Sequence, residues 1–173
     1  PHKPTPLGAP LKASANAVNT LAFTADGHTL AVGSEDGTVR LWETIDPHKP
    51  TPLGAPLKGS ADAVNTLAFS SDNRTLAVGG SDGTVALWRT DDEQAPTRLG
   101  QPLTGPARAV SSVAFDPGTQ ILAVASLDAT VRLLDLSGDA AIQRLCATST
   151  GALTRDRWNQ YMPQFPYHQP CTM

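Results

Sequence analysis

The stretch AVNTLAFTADGHTLAVGSEDGTVRLW, at residues 17–42, recurs as AVNTLAFSSDNRTLAVGGSDGTVALW at residues 63–88. A looser copy, AVSSVAFDPGTQILAVASLDATVRLL, follows at residues 109–134. Each copy starts 46 residues after the one before it, and the segment PHKPTPLGAPLK is likewise repeated, at Pro1 and at Pro47. A repeat of this length indicates a fold built from stacked copies of one supersecondary unit.

The interior of one repeat predicts four short strands. Val18–Phe23, Leu30–Val32 and Val39–Trp42 are β-prone runs separated by turn signals, and a fourth run spans Leu53–Leu57. Glu35-Asp36-Gly37 is a tight turn of the kind that joins hairpin strands. No window carries the apolar stripe of a helical repeat. The sequence therefore predicts an all-β fold in which each repeat is a propeller blade.

The first strand of each repeat carries an irregular apolar pattern. Val18 and Leu21 are three residues apart, whereas side chains on one face of a regular strand are two residues apart. One extra residue between them predicts a β-bulge, which redirects the side chains that follow. The second repeat has the same spacing between Val64 and Leu67.

Charge and composition argue against several classes of function. The net charge is −3, and the 13 Lys and Arg residues are scattered, so no basic patch predicts nucleic-acid binding. No apolar run approaches the length of a membrane span. Two cysteines, Cys146 and Cys171, lie near the end of the chain, and we interpret them as free thiols in a reducing cytoplasm. A disulfide that closes the tail is the alternative.

The motifs LAFTADGHTLAVGSEDGTVRLW, LAFSSDNRTLAVGGSDGTVALW and VAFDPGTQILAVASLDATVRLLD resemble the WD40 repeat family. The resemblance covers roughly residues 5–146 and implies a β-propeller that presents binding loops and performs no catalysis. The tail, RLCATSTGALTRDRWNQYMPQFPYHQPC, resembles the end of WD40 arrays in actinobacterial multidomain signalling proteins. That likeness implies a regulatory domain elsewhere in a longer protein.

Blades of this family carry a hydrogen-bonded set of His, Ser or Thr, Asp and Trp, of which half matches here. The Asp and Trp positions are held by Asp36, Trp42, Asp82, Trp88 and Asp128, with Leu134 in place of the third Trp. The His position holds Ser14, Ser60 and Pro106, and the hydroxyl position holds Val32, Val78 and Val124. Because removing both partners of a buried hydrogen bond is nearly neutral, we expect the blades to form. A buried Trp then needs another acceptor.

The resemblance also implies how the chain divides. We expect an outer strand of a preceding blade at 1–12, blades at 13–57, 58–103 and 104–146, and a capping tail at 147–173. The orphan strand falls at Leu7–Leu11 and the last outer strand near 140–145. Three blades cannot close a ring of four to eight, and their end faces would stay exposed. We therefore expect the remaining blades upstream in the chain or from a second copy.

The tail predicts a short helix. Thr154 suits its N-cap, Leu153 can contact Trp158, and Pro163 ends it. Tyr161 shares a face with Trp158. The helix is interpreted as a cap on the propeller, and a partner-binding motif is the alternative.

Members of this family bind partners through residues at the bulge of the first strand of each blade. They also use the residue just before the Asp of the turn between the second and third strands, which we call the turn Asp. Carried over by motif, these candidate positions are Ala17, Asn19, Glu35, Ala63, Asn65, Ser81, Ala109, Ser111 and Leu127. We expect a protein or peptide partner and neither nucleic acid nor membrane. The set lacks the aromatic and Arg anchors of strong hot spots, so either the affinity is modest or the missing blades supply the anchors.

No arrangement of residues in the sequence predicts an enzyme, a cofactor or a metal site. His2 and His48 occupy the same position of a repeated proline-flanked loop, and the acidic cluster at 91–93 lies in a connecting loop. No phosphate-binding loop is present. The interpretation is an interaction scaffold or sensor within a bacterial regulatory protein. The alternative is a structural module that holds an upstream catalytic or DNA-binding domain inactive.

Overall fold

The computed structural model of the protein describes residue 3, residues 5–104 and residues 108–137. The chain forms two compact units, Pro1–Leu134 and Asp135–Met173. Every regular element within the described residues is a β-strand, as the sequence predicts. The strands are β1 (Val18–Phe23), β2 (Thr29–Ser34), β3 (Thr38–Glu43), β4 (Thr51–Lys58), β5 (Val64–Phe69), β6 (Thr75–Gly80), β7 (Thr84–Arg89), β8 (Thr97–Arg98), β9 (Leu103–Thr104), β10 (Val110–Phe115), β11 (Ile121–Ser126) and β12 (Val131–Asp135).

The strands form three antiparallel sheets, one for each repeat. Blade 1 has the order β1-β2-β3-β4, which are the four strands that the sequence predicts. Blade 2 has the order β5-β6-β7-β8, with β9 pairing to β7 as well. Blade 3 has the order β10-β11-β12, and the fourth strand predicted near 140–145 lies outside the described residues. The prediction of an all-β partial propeller is confirmed.

The outer edge of blade 2 differs from that of blade 1. In blade 1 the outer strand β4 is continuous, whereas in blade 2 the short strands β8 and β9 pair in turn with β7. Gly100 lies between β8 and β9 at a φ of 69°, and its equivalent Gly54, at a φ of 58°, lies within β4, whose pairing with β3 shifts register between Val39 and Leu41. The third 46-residue unit differs most from the other two in this part of the sequence, and the outer strand is interrupted in the same region.

The predicted bulge is present in all three blades. Val18 pairs with Ser34 and Thr20 pairs with Gly33, so that Asn19 has no partner on β2. The same shift occurs between Val64 and Thr66 and between Val110 and Ser112. The bulge thus places one extra residue at the start of each inner strand, at the end of the blade where β2 runs into its turn to β3.

The main hydrophobic core lies between blade 1 and blade 2. It contains Ala31, Val39, Leu41, Leu53, Leu57, Val64, Leu67, Leu76, Val78 and Ala86. Glycine permits the close approach of the blades, because a Cβ atom on Gly33 would lie 2.6 Å from the Val64 side chain. A Cβ on Gly79 would meet Val110 of blade 3 at the same distance. Blade 2 is therefore covered on both faces.

The N-terminal segment corrects one expectation. Residues 7–11 form no strand, although the identical sequence at residues 53–57 lies within β4. Gly8 nevertheless approaches the carbonyl oxygen of His48 as Gly54 approaches that of Gln94, 46 residues further on. The segment thus lies where an outer strand of a preceding blade would lie, but no described strand is there to pair with it.

The predicted features of the tail lie outside the described residues. These are the helix at 154–162 with Trp158 and Tyr161, the two thiols of Cys146 and Cys171, and the cap at 147–173. Pro106 of the predicted His position is also outside them.

Candidate functional site

The candidate residues of each blade are joined by a backbone hydrogen bond. The Glu35 N–H donates to the Ala17 carbonyl at 2.9 Å, the Ser81 N–H to that of Ala63 at 2.9 Å, and the Leu127 N–H to that of Ala109 at 3.0 Å. The residue before each turn Asp therefore lies beside the start of the strand that carries the bulge. We call the surface formed by these three groups, together with Asn19, Asn65 and Ser111, the bulge face.

Two asparagines connect the bulge face from blade to blade. The Asn19 side-chain amide donates to the Val64 carbonyl at 3.2 Å, and that of Asn65 donates to the Val110 carbonyl at 3.0 Å. The Asn65 amide oxygen in turn accepts the Ser81 hydroxyl at 3.0 Å. These amides link neighbouring blades, a role that the repeated bulge did not reveal in the sequence.

The turn Asp of each blade fixes the turn between the second and third strands. Asp36 Oδ1 accepts the Thr38 N–H at 2.9 Å and the Thr38 hydroxyl at 2.6 Å. Asp82 binds Thr84 in the same way, and Asp128 binds Thr130. An Asp that accepts the N–H two residues ahead forms an Asx turn. The same Asx turn therefore follows the bulge-face residue in each of the three blades.

Hydrogen bonds lower the pKa of two of these turn carboxyl groups. The hydroxyl and N–H of Thr38 lower the pKa of Asp36 below its ordinary value of 3.8, because donors stabilise the charged form. Burial acts to raise the pKa of Asp82, but the Ala61 N–H and Thr84 outweigh it and the net shift is downward. Both side chains are therefore carboxylates at neutral pH.

The positions of the family's hydrogen-bonded set are only partly connected. In blade 1 the Ser34 hydroxyl donates to Ser14 Oγ at 2.7 Å, and the Ser14 hydroxyl donates to Asp36 Oδ2 at 3.1 Å. This chain stops short of the aromatic ring. The indole N–H groups of Trp42 and Trp88 are buried and have no hydrogen-bond partner. The acceptor that the sequence analysis required for them is thus missing.

The turn of blade 3 is strained relative to the others. Gly37 and Gly83 take positive φ values of 79° and 77° after the turn Asp, which glycine adopts at no steric cost. Ala129 holds the same position in blade 3 at a φ of 65°. A left-handed residue with a Cβ costs roughly 1–2 kcal/mol, so this turn stores strain beside Leu127.

One contact between blades, at the opposite end from the bulge face, was not found by sequence reasoning. Asn73, at a φ of 60°, accepts the Ala25 N–H at 2.7 Å and donates to Asp26 Oδ2 at 3.1 Å. The first repeat has Gly27 at this position. Gly and Asn are the residues that most readily adopt the left-handed conformation, and this exchange was the available signal.

The bulge face is mostly small and polar. Leu127 is its exposed apolar side chain, at 62% exposure, and Glu35 is exposed in the corresponding position of blade 1. Across the described ranges no group of three or more His, Cys, Asp or Glu side chains is arranged to hold a metal ion. No helix in that part of the chain is long and apolar enough to cross a membrane.

Comparisons with known proteins agree with this geometry. The family model described as WD domain, G-beta repeat matches residues 6–43, 51–89 and 97–135, together more than half of the chain. No curated protein matches the sequence. Two solved structures, titled "Structure of U3-55K" and "Crystal structure of RRP9 WD40 repeats", are similar at 25% and 26% identity, each with a TM-score of 0.61. The matches cover 73% of this chain but only 38% and 37% of those chains.

Proposed function

Because the chain belongs to the WD40 repeat family, we propose that it is a non-catalytic scaffold that binds a protein or peptide on its bulge face. WD40 repeats generally act as protein-interaction scaffolds. The observation that supports this site is the hydrogen bond that joins the bulge strand to the residue before each turn Asp, in every blade. Side chains from three blades thus share one surface on a rigid β-framework, and binding residues concentrate on such loops.

The chemistry of the bulge face favours a partner with a small apolar anchor and hydrogen-bonding groups. Leu127 supplies the apolar contact and Glu35 the negative charge. Asn19 and Asn65 each have one amide N–H engaged between blades, which fixes the orientation of both side chains on this surface. The absence of Trp, Tyr and Arg from the candidate set supports a modest affinity.

A comparison of two variants in partner capture tests the site. The double variant Glu35→Lys and Leu127→Glu alters the bulge face, whereas Arg74→Glu alters an exposed turn at the opposite end of blade 2. We expect at least one protein to be retained by the wild-type chain and by Arg74→Glu but lost from the double variant. If every captured protein binds all three chains equally, the bulge face is not the binding site.

We also propose that the segment belongs to a larger bacterial regulatory protein. Support comes from the likeness of residues 144–171 to the ends of WD40 arrays in actinobacterial signalling proteins. In that setting, partner binding on the bulge face would control a neighbouring catalytic or DNA-binding domain. A bulge-face variant in the longer protein should then change the response of that domain to the partner while leaving its basal activity intact.

A further inference from the structure

A cavity of about 300 Å³ lies at the junction between blade 1 and blade 2, beside the outer strands of blade 2. Lys58, which ends β4, lines it together with Ser60 and Ala61 of the link that enters blade 2. Blade 2 itself contributes four residues, which are Asp82, Thr84, Arg98 and Pro102. We call this cavity the rim pocket. It shares no residue with the bulge face, so an inference about it does not rest on the proposed function.

Asp82 holds the link and the turn of blade 2 together at the rim pocket. Its Oδ2 accepts the Ala61 N–H at 2.8 Å, and its Oδ1 accepts the N–H and the hydroxyl of Thr84 at 2.9 and 2.8 Å. A carboxylate offers roughly four lone-pair sites, and the protein itself already fills most of them. Asp82 therefore builds the pocket and has little capacity left to bind a ligand.

Ser60 lies deeper in blade 2 than its equivalent Ser14 lies in blade 1. In blade 1 the Ser34 hydroxyl donates to Ser14 Oγ at 2.7 Å, and Ser14 is half-buried. Gly80 replaces Ser34 in blade 2, and a side chain there would collide with the Ser60 hydroxyl. Ser60 is consequently only 5% exposed, and it forms an inner wall of the rim pocket.

Two cations line the rim pocket without a carboxylate partner. Lys58 and Arg98 are both exposed, and within the described ranges neither of them forms an ion pair. Arg98 pairs with Trp88 in the outer part of blade 2. Blade 1 has Pro52 at the same position, paired with Trp42, so the second cation distinguishes blade 2 from blade 1.

The charge and the donors of the rim pocket favour an anion. Arg carries a planar fork of N–H donors that matches phosphate and carboxylate groups, and Lys adds a compact charge. A phosphate monoester carries about −1.5 to −2 at neutral pH, which two unpaired cations balance, whereas a carboxylate would leave one cation uncompensated. We propose that the rim pocket binds the phosphate group of a phosphate monoester, with Lys58 and Arg98 as its ligands.

The size and the position of the rim pocket fit such a ligand. Its volume is at the lower end of the range of small-molecule sites, and the apolar surfaces of Ala61 and Pro102 can contact a short organic group. The lining residues belong to a junction that the chain already contains. Further blades beside blade 1 or blade 3 would leave this junction as it is.

An amide NMR titration of the full chain with methyl phosphate tests the proposal. We expect the signals of Ala61 and Thr84 to shift and to saturate, while those of Ala15 and Thr38, at the same positions of blade 1, stay in place. Dimethyl phosphate carries a single negative charge and should bind at least about 10-fold more weakly. The affinity for methyl phosphate should fall below about pH 6, where that ligand takes up its second proton while Lys and Arg keep their charge.

Three charge-removing variants locate the ligand within blade 2. Lys58→Gln and Arg98→Gln should each weaken the binding of methyl phosphate by about 10-fold, because each removes a charge-assisted hydrogen bond. Arg89→Gln is the matched control, since Arg89 is an exposed arginine of the same blade that does not line the rim pocket. It should bind as the wild type does. Circular dichroism checks that all three variants fold.

A capped phosphoserine peptide distinguishes the two sources of a phosphate group. Binding tighter than that of methyl phosphate assigns the group to a phosphorylated protein, and binding that is equal or weaker assigns it to a small metabolite. Three results would overturn the proposal. These are the lack of a saturable shift at Ala61 and Thr84, equal affinities for methyl and dimethyl phosphate, and an unchanged affinity in Arg98→Gln.

Discussion

The unpaired indole of Trp88 leads to the sharpest prediction about stability. Val78 pairs with Ala86, two residues before Trp88 on β7, so Val78 lies diagonally across from the indole on one face of blade 2. Such diagonal neighbours are within reach of an aromatic side chain. We expect Val78→Thr, which is nearly isosteric, to supply the missing acceptor.

The size of the effect follows from the two polar groups involved. A buried donor without a partner costs about 1–3 kcal/mol, and a new buried hydroxyl costs about as much unless it is bonded. Val85→Thr is the control, because Val85 is as deeply buried in the same blade but on the face opposite Trp88. We expect Val78→Thr to be neutral or stabilising and Val85→Thr to destabilise, with a difference of about 2 kcal/mol.

Thermal and urea unfolding followed by circular dichroism measure this difference. For a chain of this size it corresponds to about 6 °C in Tm. Trp88→Phe should lower the free energy of unfolding less in the wild type than in the Val78→Thr variant, where it leaves the new hydroxyl unpaired. The two losses should differ by a coupling energy of about 1 kcal/mol. Equal losses for Val78→Thr and Val85→Thr, or a coupling of zero, would refute the hydrogen-bond reasoning.

Four further predictions concern turns, packing and pH. Ala129→Gly should raise the free energy of unfolding by about 0.5–1 kcal/mol, because relief of the left-handed strain exceeds the entropy of glycine; an unchanged urea midpoint would contradict it. Gly37→Ala should lower that free energy by about 2 kcal/mol or more, since its Cβ would lie 2.6 Å from the Asp62 carbonyl oxygen at a φ of 79°. Leu57→Ala should lower the free energy of unfolding by about 3 kcal/mol, whereas Leu11→Ala, which follows the same five residues, should lower it far less. Similar losses for the two variants would mean that residues 7–11 are packed as well. Because the folded-state pKa values of Asp36 and Asp82 are lowered, their stabilisation is complete well above pH 3.8 and is lost as pH falls through and below that value. An acid titration of Tm should show this loss, and the double variant Asp36→Asn and Asp82→Asn should make it smaller, with Asp26 and Asp72, whose pKa values are also lowered, accounting for part of the remainder.

The strand pattern was predictable because its signals are local. The period, the turn residues and the extra residue at Asn19 are visible in the sequence, and each depends on contacts within one repeat. The sites that were missed involve two repeats at once. The amide of Asn19 and the side chain of Asn73 act on the neighbouring blade, and nothing within their own repeat announces that contact.

One segment that occurs twice with identical sequence shows the limit of prediction from sequence. PLGAPLK at residues 6–12 and at residues 52–58 has the same propensities and the same alternation, so the sequence alone determined a strand-capable segment at both places. Only the tertiary structure made the second a paired strand with two buried leucines, because β3 offers it an edge and blade 2 covers Leu53 and Leu57. The first has no such edge among the described residues. A strand is stabilised by its partner's hydrogen bonds and by burial of its face, and both depend on what the fold places beside it.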